Sequence, residues 1–282
     1  MTALTSSTPR FQLPEPDIVY PERGFASLIR CSWLEGLRLL LKWFRDPTTI
    51  IQSTVYPAVM LLMLRVVLGD SISAATGQSS VYGTVPMIMI VGAMSGATVS
   101  ALSIGGDRIS GLLSRMWTLP IHRASVLLGR VLAEMVRVLV TSLVIAAVGL
   151  LLGFRFHQGP LAAIGLFCIP ILFGVGFALF VAAVTTNTSD SDGMQMVQII
   201  AALTMLLMFF NTGFVPLAAY PPWLQAVVAH QPMSCAIDAM KGLSLGGPVA
   251  GPLLQTIAWS LGTLAICVLP AIRGFRRAAG TS

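Results

Sequence analysis

Charge is what this sequence has least of. Only 10% of its 282 residues are Asp, Glu, Lys or Arg. A soluble domain carries about 25%. A chain so poor in charge cannot cover a water-facing surface, and it reads as a membrane protein before any motif is considered. Acidic residues are the scarcer sign, 11 against 17 Lys and Arg. The basic excess does not mark a nucleic-acid binder, because the basic residues stand between and beside apolar runs instead of on one soluble domain; membrane proteins place positive charge on one side in this way. Catalytic equipment is missing as well. The sequence has no GxxxxGK[ST] phosphate loop and no run of Asp or Glu that could hold magnesium. No cofactor is therefore expected on this chain. His122, His157 and His230 are scattered, and Cys31, Cys168, Cys235 and Cys267 form no CxxC pair. Neither a metal site nor a disulfide framework is expected. Asp190 and Asp192 read as solvated charges. Residues 1–24 are polar, hold Pro14, Pro16 and Pro21 and lack an apolar core. They read as a disordered cytoplasmic tail and not as a signal peptide.

What is there is a set of long charge-free runs. No Asp, Glu, Lys or Arg occurs in Ser71–Gly106, Val138–Phe154, Phe156–Ser189, Gly193–Ile237 or Gly242–Ile272. A transmembrane helix needs about 20 mainly apolar residues. The runs predict spans over Thr48–Leu68, Gly83–Gly106, Ser125–Leu152, Leu161–Val184, Gly193–Gly213 and Gly251–Ile272. Arg10, Arg23, Arg30, Arg38, Lys42 and Arg45 precede the first span; Arg108, Arg115 and Arg123 lie between the second and third; Arg273, Arg276 and Arg277 follow the sixth. The other side has Arg155 and Lys241, with Arg65 near the outer end of the first span. That asymmetry predicts a multi-pass plasma-membrane protein with both termini in the cytoplasm. The bundle is expected over 47–272, with a cytoplasmic C-terminal tail over 273–282.

Two segments depart from plain spans. In 25–46 the apolar residues Phe25, Leu28, Ile29, Trp33, Leu37, Leu40, Leu41 and Phe44 recur at helical spacings, with Arg38, Lys42 and Arg45 on another face. Pro47 then interrupts. The pattern predicts an amphipathic helix in the cytoplasmic interface, Trp33 and Trp43 at headgroup depth; the alternative is a helix packed on a soluble partner. The second segment, 214–248 with its approach, is apolar yet crowded with breakers, among them Gly213, Pro216, Pro222 and Pro232. Two short helices, near Pro222–Val228 and Met233–Leu243, fit it. It reads as a re-entrant hairpin dipping into the outer leaflet, anchored by Trp223, with Asp238 and Lys241 paired at i, i+3. A purely structural lid is the other reading.

Arg130, Glu134 and Arg137 share one face of the third span. Charge this deep costs about 2.5–3.5 kcal/mol on insertion scales. It predicts either a polar wall or latch toward a neighbouring membrane protein, or a neutralised cluster with snorkelling arginines. Arg65 reads as a snorkelling anchor or an outer-vestibule contact. The small residues Gly92, Ser95, Gly96, Ser100 and Gly105 of the second span predict close helix packing within the chain or, as the alternative, a seam with a neighbouring membrane subunit. Between the second and third spans, 107–120 is a short amphipathic piece rich in Arg, Leu and Met, suited to carry force from a soluble partner into the bundle.

The spacing Gly111-x-Leu113, Met116, Pro120, then Arg123 and Leu127–Arg130, resembles the coupling-helix region of ABC-2 type transporter permeases. Asp107 stands where many members have Glu, and Ile109 where they have a second. Phe210–Pro232 resembles the breaker-rich hairpin before that family's last span. Within the family, Leu151–Gly159, Val228–Gly242, Leu245–Pro248 and Leu112–Ser125 are most similar to the daunorubicin-resistance-type permeases of actinobacteria, in particular the mycobacterial C-subunit type. The resemblance implies an all-α membrane protein of the ABC-2 (type V) exporter fold: six spans, an interfacial helix, a coupling helix over 107–120 and an outer hairpin. It implies a permease without ATPase activity, working with an A-type ATP-binding subunit that holds ATP and Mg, and with a B-type second permease as a heterodimer. The contact with the ATPase would fall on Asp107, Arg108, Gly111, Leu113, Arg115, Met116, Trp117 and Pro120. The cargo implied is a complex envelope lipid of the phthiocerol dimycocerosate kind or an anthracycline-type drug, moved outward. A gradient-driven transporter or channel for apolar solutes is the competing class; those commonly show inverted repeats, and none is evident.

Overall fold

The computed structural model describes residues 24–109, 124–188 and 190–280. All regular structure among them is helical. The elements are α1 (Phe25–Arg45), α2 (Pro47–Ile50), a π-helical turn (Ile51–Val55), α3 (Tyr56–Thr76), α4 (Val81–Ile109), α5 (Ala124–Leu151), α6 (Gly159–Asn187), α7 (Asp190–Phe209), α8 (Pro222–His230), α9 (Pro232–Leu245) and α10 (Ala250–Gly280).

Six stretches are long and apolar enough to cross a membrane: Pro47–Ala74, Val81–Asp107, Ala124–Leu151, Gly159–Asn187, Asp192–Phe209 and Ala250–Gly274. The expected spans are all present, with shifted ends. The first runs past Leu68 because no stop signal comes before Gly77, whose left-handed conformation (φ 67°) ends α3. The fifth ends at Phe209, before the expected Gly213, and a non-helical turn follows. Residues 273–280, expected as a tail, continue α10 as helix.

Local chemistry sets the joints. Asp46 is extended and accepts hydrogen bonds from the Thr48 N–H (3.1 Å) and the Thr49 hydroxyl, with Pro47 in the first turn of α2. This is an N-cap followed by a proline that needs no donor. The Thr49 hydroxyl bond is the main reason the Asp46 carboxyl sits below its ordinary pKa. Pro57 lies in the first turn of α3 and cannot donate to the carbonyl four residues back, that of Ser53. The chain adopts one π turn there, and the Thr141 hydroxyl of α5 donates to the Ser53 carbonyl at 3.5 Å.

α4 is the centre of the bundle. It packs on α3, α5, α6, α7 and α9, and 72% of its most apolar stretch is buried. The corresponding shares are 22% for the first span and 17% for the sixth. The main core gathers Val85, Met87, Ile88 and Ile90 of α4 with Ile145, Leu166, Met233 and Ile237. α1 lies on α5. The contact is close because glycines face each other: a Cβ at Gly129 would stand 2.7 Å from the Glu35 Cβ, and one at Gly36 would stand 3.2 Å from the Gly129 carbonyl oxygen.

Candidate functional site

At the α1 end of the bundle, three cations converge on one carboxylate. Asp107, in the last turns of α4, receives the Lys42 ammonium at 3.0 Å, Arg130 Nη2 at 3.0 Å and Arg38 Nη2 at 3.8 Å. The side chains of Asp107 and Arg130 are 5% and 8% exposed. Arg38 is also bidentate to Glu35, at 2.7 and 2.9 Å. The Glu35 bond is the main reason the Arg38 guanidinium sits above its ordinary pKa. Helices α1, α4 and α5 are thereby joined at one buried anion. Removing Asp107 or Arg130 leaves the other buried without its closest counter-charge, which costs far more than an exposed pair is worth, whereas Arg38 and Lys42 stay partly open to solvent.

One to two turns deeper, Arg137 Nε donates to Glu134 at 3.1 Å, and its Nη2 donates to the same carboxylate and, at 3.4 Å, to the Ala93 carbonyl of α4. Gly96 makes room for this: a Cβ there would overlap the Arg137 guanidinium. A cavity of about 110 Å³ lies between α1, α4 and α5, lined among others by Lys42, Trp43, Ser100, Arg130, Glu134 and Arg137. It is smaller than the roughly 300–1,000 Å³ of a drug-binding pocket.

The three-residue polar cluster read along α5 is therefore divided in the structure. Glu134 and Arg137 pair with each other, and Arg130 turns to Asp107 on α4. Both halves pair within this chain, which supports the reading of a neutralised cluster. One correction concerns Trp43. It is 7% exposed and donates from Nε1 to the Ser53 hydroxyl at 3.0 Å, so it pins α1 to the π turn instead of standing free at headgroup depth. Trp33 is 65% exposed, and Phe25, Ile29, Leu37, Leu41 and Phe44 share its uncovered face. Arg45 closes α1 and is exposed. Arg108 lies in the last turn of α4. Gly111, Leu113, Arg115, Met116, Trp117 and Pro120 lie outside the described residues, as does the tail over 1–23.

The opposite end carries the hairpin, with α8 and α9 near the expected positions. Pro216 precedes a short 3-10 turn, Pro222 and Pro232 occupy the first turns of α8 and α9, and Trp223 is exposed. Asp238 and Lys241 pair at 3.8 Å, as their spacing suggests. Each binds Thr212 more closely: the Thr212 hydroxyl donates to Asp238 at 2.7 Å, and the Lys241 ammonium donates to the Thr212 carbonyl. Burial pushes the Asp238 carboxyl up and the Lys241 ammonium down from their ordinary pKa values. Sequence reasoning missed Thr212, and it missed Gly83, which lies against Gly213. It also missed Glu35 and Ser53. Glu35 carried a signal, being three residues from Arg38 on a helix.

The ABC-2 type transporter family profile matches residues 33–244. The chain is 37% identical, over 98% of its length and 99% of the relative's, to a probable doxorubicin resistance ABC transporter permease protein, DrrC, of Mycobacterium tuberculosis. It is 27% identical to the daunorubicin resistance ABC transporter permease protein DrrB1 of Streptomyces coeruleorubidus, over 82% of this chain and 77% of that one. It is also 27% identical to the doxorubicin resistance permease protein DrrB of M. tuberculosis, over 70% of each. Six apolar helices, the extent of the family match and near full-length identity to a Drr permease agree, and the chain belongs to the ABC-2 type transporter family as a multi-pass membrane permease of the Drr type.

Proposed function

We propose that this chain is one permease half of an ATP-driven exporter. It carries an amphipathic or hydrophobic cargo, an anthracycline-type drug or a complex envelope lipid, from the inner leaflet outward. A separate ATPase subunit binds ATP and Mg, and a second permease completes the pathway. The printed names of the Drr relatives support the drug, and the apolar surface of the helices suits either cargo. Both termini face the cytoplasm on this reading, supported by the Lys and Arg asymmetry.

One observation carries the proposal. Asp107 opens the segment expected to meet the ATPase, and it is the residue on which Arg38 and Lys42 of α1 and Arg130 of α5 converge. A subunit without a nucleotide site needs a stiff joint between the surface a partner pushes and the helices that must move. Buried ion pairs supply stiffness, and rigid-body rearrangement supplies the switch. The uncovered apolar face of α1 supports its lying in the membrane interface beside this joint. The contact itself is assigned to Asp107, Arg108, Gly111, Leu113, Arg115, Met116, Trp117 and Pro120.

The test is reconstitution of the chain with its ATPase and second permease in liposomes. Doxorubicin or extracted envelope lipid should stimulate hydrolysis and move only with ATP. Vectorial transport by the purified chain alone, with no hydrolysing subunit, would overturn the proposal.

A further inference from the structure

The end of α7 is held in an unusual way. The last carbonyls of a helix have no partners within it. Here every carbonyl from Leu206 to Thr212 has a donor. The Phe210 N–H serves Leu206 at 3.3 Å, and the Asn211 side-chain amide serves Leu207 at 3.4 Å and Met208. The next four are taken by the hairpin. The Tyr220 hydroxyl shares its one proton between the Asn211 carbonyl at 3.1 Å and the Phe209 carbonyl at 3.3 Å. The Gln231 side-chain amide donates to Phe210, and the Lys241 ammonium to Thr212. These three donors come from before α8, between α8 and α9, and within α9. The same turn is pressed against α4. A Cβ at Gly83 would overlap the Gly213 carbonyl and lie 3.4 Å from Lys241 Cε, and one at Gly213 would lie 3.0 Å from the Met87 Cβ. Residues 209–213 are thus sandwiched between the start of α4 and the hairpin.

We infer that Lys241 is a positioning residue that, with Tyr220 and Gln231, clasps the end of α7 and the hairpin into one body, and that transport depends on this body staying whole against α4. An ammonium suits the task. It offers three donors at a compact charge, and it sits at the negative end of α7. Asp238 keeps it there, 3.8 Å away, while accepting the Thr212 hydroxyl. On the other side of the turn, backbone meets backbone at Gly83 and Gly213, with the Met87 Cβ and the Lys241 Cε beside them, so a Cβ at Gly83 would push the turn off α4. The role in the cycle rests on the exporter reading; the clasp does not.

Hydrogen exchange of the amides over 209–213, in the full chain in lipid nanodiscs, tests the clasp without any cargo. Loss of a hydrogen bond to a charged donor is worth about 1.5–3 kcal/mol, so Lys241→Ala should speed exchange by about tenfold or more, and Lys241→Arg should restore most of the protection. Gly83→Ala, which suits a helix but places a methyl on the Gly213 carbonyl, should speed exchange with Lys241 intact. In the complex with the ATPase and second permease, both Lys241→Ala and Gly83→Ala should hydrolyse ATP while moving several-fold less cargo per ATP. Unchanged exchange in Lys241→Ala overturns the clasp. Faster exchange with unchanged cargo per ATP in both variants overturns the dependence of transport on the clasped body. A wild-type complex that moves nothing counts against the exporter reading, and exchange still decides the clasp.

Discussion

The two ends of the bundle are held by different chemistry. At the α1 end the bonds run between formal charges on helices far apart in sequence: Arg38 and Lys42 on α1, Asp107 on α4, Arg130 on α5. At the hairpin end the acceptors are mostly backbone carbonyls in one short turn, and the donors are largely neutral side chains with Lys241. Charges act over distance and depend strongly on what else is near. A carbonyl rewards only a donor in the right place and direction. The first end is suited to register an approaching partner, the second to keep a turn in one shape.

The contrast can be broken most severely at Glu134. Glu134→Ala leaves Arg137 buried beside α4, and loss of one partner from a buried pair costs about 3–5 kcal/mol. The variant should show a much lower unfolding midpoint in denaturant and reduced export; normal abundance with unchanged transport and stimulated hydrolysis would remove the pair from consideration. Asp107→Asn should come next, at about 2 kcal/mol, since its bonds are to charged donors. If the joint transmits force, its loss should weaken cargo-stimulated hydrolysis more than basal hydrolysis. Gly129→Ala should cost about 1–3 kcal/mol by overpacking against Ser32 and Glu35, readable as faster proteolysis of α1. The smallest effect belongs to the exposed Arg65–Asp70 pair, 3.4 Å apart. Asp70→Asn should shift the midpoint by no more than about 0.5 kcal/mol, and only at low salt.

The sequence made some of this readable and hid the rest. The bounds of α1 were legible, because its apolar residues recur at helical spacing and Pro47 interrupts the pattern. The six spans were legible because runs without charge can hardly sit elsewhere. The shared face of Arg130, Glu134 and Arg137 follows from helix geometry alone. Which carboxylate each arginine chooses does not, because Asp107 reaches Arg130 only once α4 and α5 have packed. Trp43 looked like an interfacial anchor for the same reason: periodicity places it on a face but does not say that Ser53 waits there. The clasp around Phe209–Thr212 was the least visible, since backbone acceptors leave no trace in residue identity. Of the small residues of α4, Gly92 and Gly96 lie against close neighbours while a Cβ at Gly105 would meet nothing within 4 Å, and Gly96 shows why one of them must be glycine: a guanidinium occupies the space of its side chain.

The enclosure of α4 has a consequence for how the molecule meets its surroundings. A helix surrounded on most sides has few directions in which to slide, so it serves as a mast to which the others are rigged. Acyl tails or a companion subunit sharing the bilayer with this chain meet it chiefly through α3, α7 and α10, where 22%, 28% and 17% of the most apolar stretches are covered. Those open faces are where bilayer composition would leave its strongest imprint on behaviour.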